Sequence, residues 1–373
     1  MTNYQHIQFI AYGAVTSAPT RVLPGNALNA YAADAESRAN TLCGVVDWVA
    51  TRYASTLGGP DTLKVVIVPE FYFRFGGPSD PADNVEESYP NGEILLPNVV
   101  EKVLRPHFSV PGYEDWLIIA GTMFWHKSAA DSAATHPTYF NTVLALRGGS
   151  DADTTLTPQE QENNRDARAV PTMGRLSTNQ KALMSRIDYS LKIDRHEWDG
   201  AINPMFQLIL GDWDWWRWHM FTVHGVNGPD GDPVVFGLEV CLEHIQADAD
   251  RNTEFGSLRS LRNQNPYLPE IDVHLVTSCG MTLDASDGIE ARVGGYAAIC
   301  DGMKPRDPKG PWPRTDVQVV TDIEAGSGRH NTSPATTLLD RQPLPANHQL
   351  GIPGDTHTPL DAVAVWKALP LQN

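Results

Sequence analysis

Apolar residues in this chain gather in short, nearly unbroken runs separated by polar, Gly/Pro-rich stretches. Ile7-Gln-Phe-Ile-Ala-Tyr12 reads as a first strand, buried on at least one face. Residues 28–56 are Ala-rich, and Leu42, Val45, Val46 and Val49 fall at i, i+3, i+4 and i+7, the stripe of a helix lying on a core. Leu63-Lys-Val-Val-Ile-Val-Pro69 is mostly β-branched, as suits a strand covered on both faces. Residues 76–92 hold Gly, Pro, Asp and Asn and read as a loop. The pattern then predicts a helix over 94–104 and strands over Leu117–Phe124, Tyr139–Leu146 and the run that starts at Val234. Strands and helices that alternate in this way define an α/β class.

Two regions depart from the alternation. Residues 148–178 carry few large apolar side chains and read as a polar surface insertion, helical around Pro158–Asp166. Residues 326–373 read as a Pro/Gly-rich C-terminal tail, with a short helix over Asp361–Leu369. Residues 5–325 then form one large domain. Asp212-Trp-Asp-Trp-Trp-Arg-Trp-His219 is the most unusual composition. Its tryptophans fit core packing, a substrate pocket or a subunit contact.

Composition narrows the function. The chain has 373 residues, 41% of them hydrophobic, which is enough for a sizeable core. A net charge of −17 argues against nucleic acid and anionic membrane surfaces as partners, because both demand clustered Lys and Arg. No run approaches the ~18 apolar residues of a membrane span. Met1-Thr-Asn-Tyr-Gln-His lacks the basic and apolar regions of a signal peptide. Cys43, Cys241, Cys279 and Cys300 form no CxxC, so a cytoplasmic location with free thiols is the expectation. Cys241 and His244 have a spacing seen in zinc sites, but no second ligand pair accompanies them. Neither a metal nor a cofactor is expected; GxGxxG, GxxxxGK[ST] and GxSxG are all missing.

Three apolar segments each carry a chemically useful residue. The run at 63–69 ends on Glu70, Ile187-Asp-Tyr-Ser-Leu-Lys192 presents a lysine, and Val234-Val-Phe-Gly-Leu-Glu-Val-Cys241 ends on a thiol before Leu-Glu-His244. A buried strand delivers a nucleophile to a pocket in this way. A lone cysteine on an apolar strand is more often an inert core residue, and Cys279 and Cys300 fit that description. Lys181, in Asn179-Gln-Lys-Ala, is the rival to Lys192.

The ordered set resembles the nitrilase superfamily of carbon–nitrogen hydrolases. Val68-Pro-Glu-Phe-Tyr72 is similar to the family's first motif, and Gly237-Leu-Glu-Val-Cys-Leu-Glu-His244 to its cysteine motif. Trp116-Leu-Ile-Ile-Ala-Gly-Thr122, Tyr139-Phe-Asn-Thr142 and Gly294-Gly-Tyr-Ala-Ala-Ile-Cys-Asp-Gly302 resemble its flanking strands. The resemblance implies a four-layer αββα sandwich that pairs into homodimers or larger assemblies. It also implies a Glu-Lys-Cys triad acting on a small nitrile or amide. Glu70 is then the general base, Lys192 the oxyanion cation and Cys241 the nucleophile. The Leu242 N–H is the second oxyanion donor, and Phe71, Tyr72, Glu243 and His244 line the substrate. Glu197, Glu239 and Glu243 are open candidates for the second glutamate that many members carry. An acyltransferase using the same triad, or a silent homologue that only binds, is the alternative.

Overall fold

A computed structural model of the chain describes residues 2–16, 27–75, 88–90, 98–127, 138–166, 168–180, 219–245, 256–283, 288–303, 315–326, 328–335, 338–350 and 361–372. Its main strands in chain order begin with β1 (His6–Gly13), β2 (Thr62–Ile67), β3 (Trp116–Lys127), β4 (Thr138–Arg147), β5 (Thr172–Met173), β6 (Leu176–Gln180) and β7 (Met220–Val223). They continue with β8 (Phe236–Val240), β9 (Ile271–Ser278), β10 (Ala291–Asp301), β11 (Thr315–Ile323), β12 (His330–Pro334), β13 (Leu338–Pro343) and β14 (Ala362–Trp366). The long helix is α1 (Ala27–Arg52), and a shorter one is α2 (Ser257–Gln264).

The class is mixed α/β with two principal sheets. One runs β13-β14-β1-β2-β3-β4-β6 and the other β12-β11-β10-β9-β8-β7-β5. Both follow one plan. β1, β2 and β3 are parallel, with antiparallel β14 and β4 outside them. β8, β9 and β10 are parallel, with antiparallel β7 and β11 outside them. In each case the carboxyl ends of the parallel strands point to one edge, where open α/β sheets place their sites.

The period-2 alternation of the strands explains the packing. Ile7, Phe9 and Ala11 of β1 join Leu63, Val65 and Ile67 of β2 in one buried cluster with Phe236, Leu238 and Val240 of β8 and Val273 and Leu275 of β9. The two sheets therefore share a core, with Phe9 and Tyr296 in edge contact across it at 5.9 Å. The alternate residues Ile10, Tyr12, Val66 and Val68 meet Ala35, Ala39, Leu42, Val45, Val46 and Val49 of α1. Leu258 and Leu261 of α2 cover Ile271, Val235 and Met220 on the outer face of the second sheet.

Most elements match the sequence pattern, and two do not. The segment expected to be a terminal helix is β14, whose Ala362–Val365 pair antiparallel with β1. Alternation in Ala-Val-Ala-Val-Trp is a strand signal, and pairing with β1 buries it where an isolated helix would gain little. The insertion at 148–178 is partly as expected, with a surface helix at Pro158–Asn163, but it is more integrated than a solvated excursion because its strands β5 and β6 join different sheets. In the tail, β12 and β13 likewise extend the sheets.

Gly121 interrupts β3 at a register shift between Ile119 and Thr122, rather than ending it. Its φ is +73°, and a Cβ there would come within 2.3 Å of the Pro69 carbonyl and 2.8 Å of the Tyr72 Cβ. The glycine therefore lets β3 approach the backbone on both sides of Glu70. Gly121→Ala is expected to destabilise the fold by roughly 1–3 kcal/mol, the usual range for a non-glycine forced into left-handed backbone. Urea unfolding of wild type and variant measures the difference.

Candidate active site

Glu70 is set by the loop that leaves β2. Val68 N–H donates to the Ile119 carbonyl at 2.9 Å, which continues the sheet for one residue, and Pro69 then ends the pairing. Phe71 adopts a φ of 60°, and its N–H donates to Thr122 Oγ1 at 2.8 Å. The Glu70 side chain is fully buried, and its Oε1 accepts a hydrogen bond from Asn141 Nδ2 at 2.8 Å. The sequence reading placed Asn141 in a flanking strand that resembles the family's but gave its side chain no catalytic part; its signal is a fully buried amide on β4.

Phe71 and Tyr72 are both buried. The Phe71 ring lies edge-on to Phe124 at 5.6 Å, and the Arg74 guanidinium sits 5.1 Å from its centroid. The Tyr72 hydroxyl donates to the Arg38 carbonyl of α1, so it serves the helix contact. Arg38 in turn pairs with Asp34 at 2.7 Å and donates to the Tyr72 carbonyl at 2.8 Å.

Cys241 stands where β8 turns into a 3₁₀ segment, Cys241–Ile245. Its φ is 51°; Phe71 and Cys241 are the non-glycine residues with left-handed φ among the described residues. Strict alternation after Val240 would send Cys241 to the outer face of the sheet. The left-handed residue instead leaves it in the cluster between the sheets, beside Val240. The Glu243 carboxylate folds back to accept the Val240 N–H at 2.8 Å and lies 3.8 Å from His219 Nδ1. Leu242 supplies the first backbone N–H after the thiol.

The two turns meet at the end of β9. The Ser278 carbonyl accepts the N–H of Glu70 at 3.3 Å and that of Gly302 at 2.8 Å. One residue on, the Cys279 carbonyl lies 4.0 Å from Cys241 Sγ. Asp301, at the end of β10, accepts from Ser278 Oγ at 3.1 Å and from the Gly280 N–H. The fold thus carries the Glu70 main chain and the Cys241 thiol, both put forward by the sequence, to neighbouring carbonyls at the end of β9, and it adds Asn141 and Asp301. Lys192, its rival Lys181, Glu197 and the tryptophans at 213–218 lie outside the described residues. Arg74 is a described cation whose charge reaches the site, since it acts on the Cys279 thiol.

Burial disfavours the thiolate form of Cys43, Cys279 and Cys300. Burial, with Asp47 adding to it, pushes the Cys43 thiol up to about 12. Burial raises Cys279 further, and Glu70 and Asp301 act in the same direction. Burial also holds Cys300 well above the ordinary thiol range. Two surface cavities, of about 260 and 550 Å³, are lined by neither Glu70 nor Cys241.

Behind Cys241, Glu239, His244 and His274 bring metal-ligand atoms within 4.8 Å of one another. Glu239 Oε2 lies 2.9 Å from both His244 Nδ1 and His274 Nε2. His274 Nδ1 accepts the Glu290 N–H at 3.2 Å. The carboxylate and the two imidazoles form one fully buried hydrogen-bonded network. His244, read from the sequence as a substrate residue, is fully buried in this network, and Glu243 is fully buried against β8.

Comparison of the chain with known protein families and with curated proteins finds no match.

Burial opposes the charge on Glu239, but the field and hydrogen bonds of His274 and His244 outweigh it and hold the carboxyl well below its ordinary range. A depressed folded value gives stability that is complete above the unfolded carboxyl value, about 4.3, and is lost as pH falls through the folded value. The wild-type thermal midpoint should therefore drop on acidification below about pH 4. Glu239→Gln should be less stable at neutral pH and should show a shallower acid limb. Midpoints measured by circular dichroism across the range test both.

Proposed function

We propose that this protein is a thiol hydrolase of a non-peptide carbon–nitrogen bond, with a nitrile or amide substrate. The observation that carries the reading is the convergence of buried Glu70 and left-handed Cys241 on consecutive carbonyls at the end of β9. A base and a nucleophile placed on two sheets gain a fixed relation only through such a shared support. We further read the two packed sheets, with α1 and α2 on their outer faces, as the four-layer αββα sandwich of the nitrilase superfamily. Homodimers or larger assemblies are part of the same proposal.

In this mechanism Glu70 takes the Cys241 proton, and the thiolate sulfur bonds to the amide carbon. The tetrahedral oxyanion is held by the Leu242 N–H and by a cation, for which Lys192 is the residue proposed. Collapse breaks the C–N bond, and Glu70 returns the proton to the leaving ammonia. A water, deprotonated by Glu70, then attacks the thioester and releases the carboxylic acid and the thiol. A nitrile reaches the same thioester through a thioimidate, which adds one water and expels ammonia. Asn141, bonded to Glu70 Oε1, fixes the direction of the base.

The test is ammonia release from a panel of nitriles, primary amides and carbamoyl compounds. Cys241→Ala is expected to abolish release, and Glu70→Gln to lower kcat by about 10²–10⁴-fold, the range for a general base. Release that is unchanged in Cys241→Ala overturns the proposal. Acylation of Cys241 that amines discharge faster than water would reassign the protein as an acyltransferase.

A further inference from the structure

The Glu239 network has no part in the mechanism above, yet it touches the element that carries Cys241. Glu239 lies two residues before the cysteine, on the outer face of β8, and is fully buried. Its Oε1 accepts from Ser257 Oγ at 3.0 Å and from the Leu258 N–H at 2.8 Å, both at the start of α2. Its Oε2 accepts from His274 of β9 and from His244 of the 3₁₀ turn, each at 2.9 Å. An ionised carboxylate offers about four acceptor positions, and here four donors from three elements occupy them.

The turn needs such an anchor. A left-handed cysteine persists only where its surroundings over-determine the backbone. On one side Glu243 binds the Val240 N–H. On the other, His244 is seated tightly: a Cβ on Gly288 would come within 2.2 Å of the His244 carbonyl and 2.9 Å of its Nδ1. The ring thus has little room to swing, and its Nδ1–H is committed to Glu239. Moving His244 would move the segment that fixes the φ of Cys241.

We propose that Glu239 is a positioning residue: through His244 it holds the left-handed turn that presents Cys241 to Glu70. This inference rests on the reading of Cys241 as the nucleophile, but its structural half does not. Glu239 touches no reacting atom, so it positions and does not catalyse.

The test separates the hydrogen bond from the volume it fills. His244→Asn keeps an N–H donor near the place of Nδ1 and loses volume, whereas His244→Leu keeps volume and loses the donor. Glu239→Gln removes the charge and sets an NH₂ group against two of the four donors. Amide hydrogen exchange over residues 239–245 reads the turn whether or not turnover is found, and steady-state kinetics read its consequence. Exchange in His244→Leu and Glu239→Gln is expected to quicken about tenfold or more, as for loss of a buried bond to a charged group. kcat should fall by a similar factor, about tenfold, with KM unchanged, because only the reacting geometry is lost. His244→Asn should stay within about threefold of wild type in both readouts if its donor preserves the bond. Overturning results are a turn protected in all three variants, one opened equally by His244→Asn and His244→Leu, or one kept by leucine and lost with asparagine. Should Glu239→Gln fail to fold, the His244 pair decides alone. Absence of ammonia release from wild type counts against the nucleophile reading, while the exchange data still accept or reject the anchor.

Discussion

Everything at the candidate site depends on the contact between the two sheets at the end of β9. Thr277 Oγ1 donates to the Val68 carbonyl at 2.8 Å, and the Glu70 N–H donates to the Ser278 carbonyl at 3.3 Å. These bonds leave the second sheet and end on the loop that follows β2. The shared apolar core supplies the attraction between the sheets, but that attraction has no direction. Two hydrogen bonds with direction fix the register in which the core closes. A slide of one sheet over the other would keep much of the apolar burial and would separate Glu70 from Cys241.

Backbone strain follows from the same arrangement. Both non-glycine left-handed residues of the described chain occur where a parallel strand hands over to the site, at Phe71 and Cys241. Each such residue costs on the order of 1–3 kcal/mol, so the surrounding bonds must offset it. At Phe71 the offset comes from Thr122, which accepts the Phe71 N–H at its hydroxyl and the Phe73 N–H at its carbonyl. At Cys241 it comes from Glu243 and His244. The strain also has a consequence at Cys241, because an extended residue there would point its thiol to the outer face of the sheet instead of the shared core.

Much of this was legible in the sequence, and the division has a physical cause. The strands at 63–69 and 234–240 were readable because burial on both faces demands β-branched and apolar residues in a row. Glu70 and Cys241 stood out because each ends such a run. β14 is not legible locally, because its stability comes from pairing with β1, more than 340 positions away. The same holds for the insertion: β5 and β6 are short strands whose partners lie elsewhere in the chain. The roles of Glu243 and His244 were unreadable for a related reason. Their spacing from Cys241 suggests a shared pocket, but a tight turn sends neighbouring side chains to different sides. Asn141 and His274 gain their meaning only from the long-range partners Glu70 and Glu239.

The buried charges reveal a common plan on the two outer faces. On the first sheet, Asp34 and Arg38 sit within the apolar stripe of α1, and Arg38 binds the Tyr72 carbonyl while Tyr72 binds the Arg38 carbonyl. On the second, Glu239 joins the start of α2 to the turn at Cys241. The segments that follow β2 and β8 are therefore each tied to the helix that covers their own sheet. Buried ionic groups of this kind are weak sources of net stability, since desolvation cancels much of their attraction. What they contribute is specificity of geometry. Apolar packing alone would allow either helix to shift along its sheet; a fully buried carboxylate that must keep its donors permits far fewer positions. These two networks lie beside the loops that carry Phe71 and Cys241, and there they limit the positions that each loop can take.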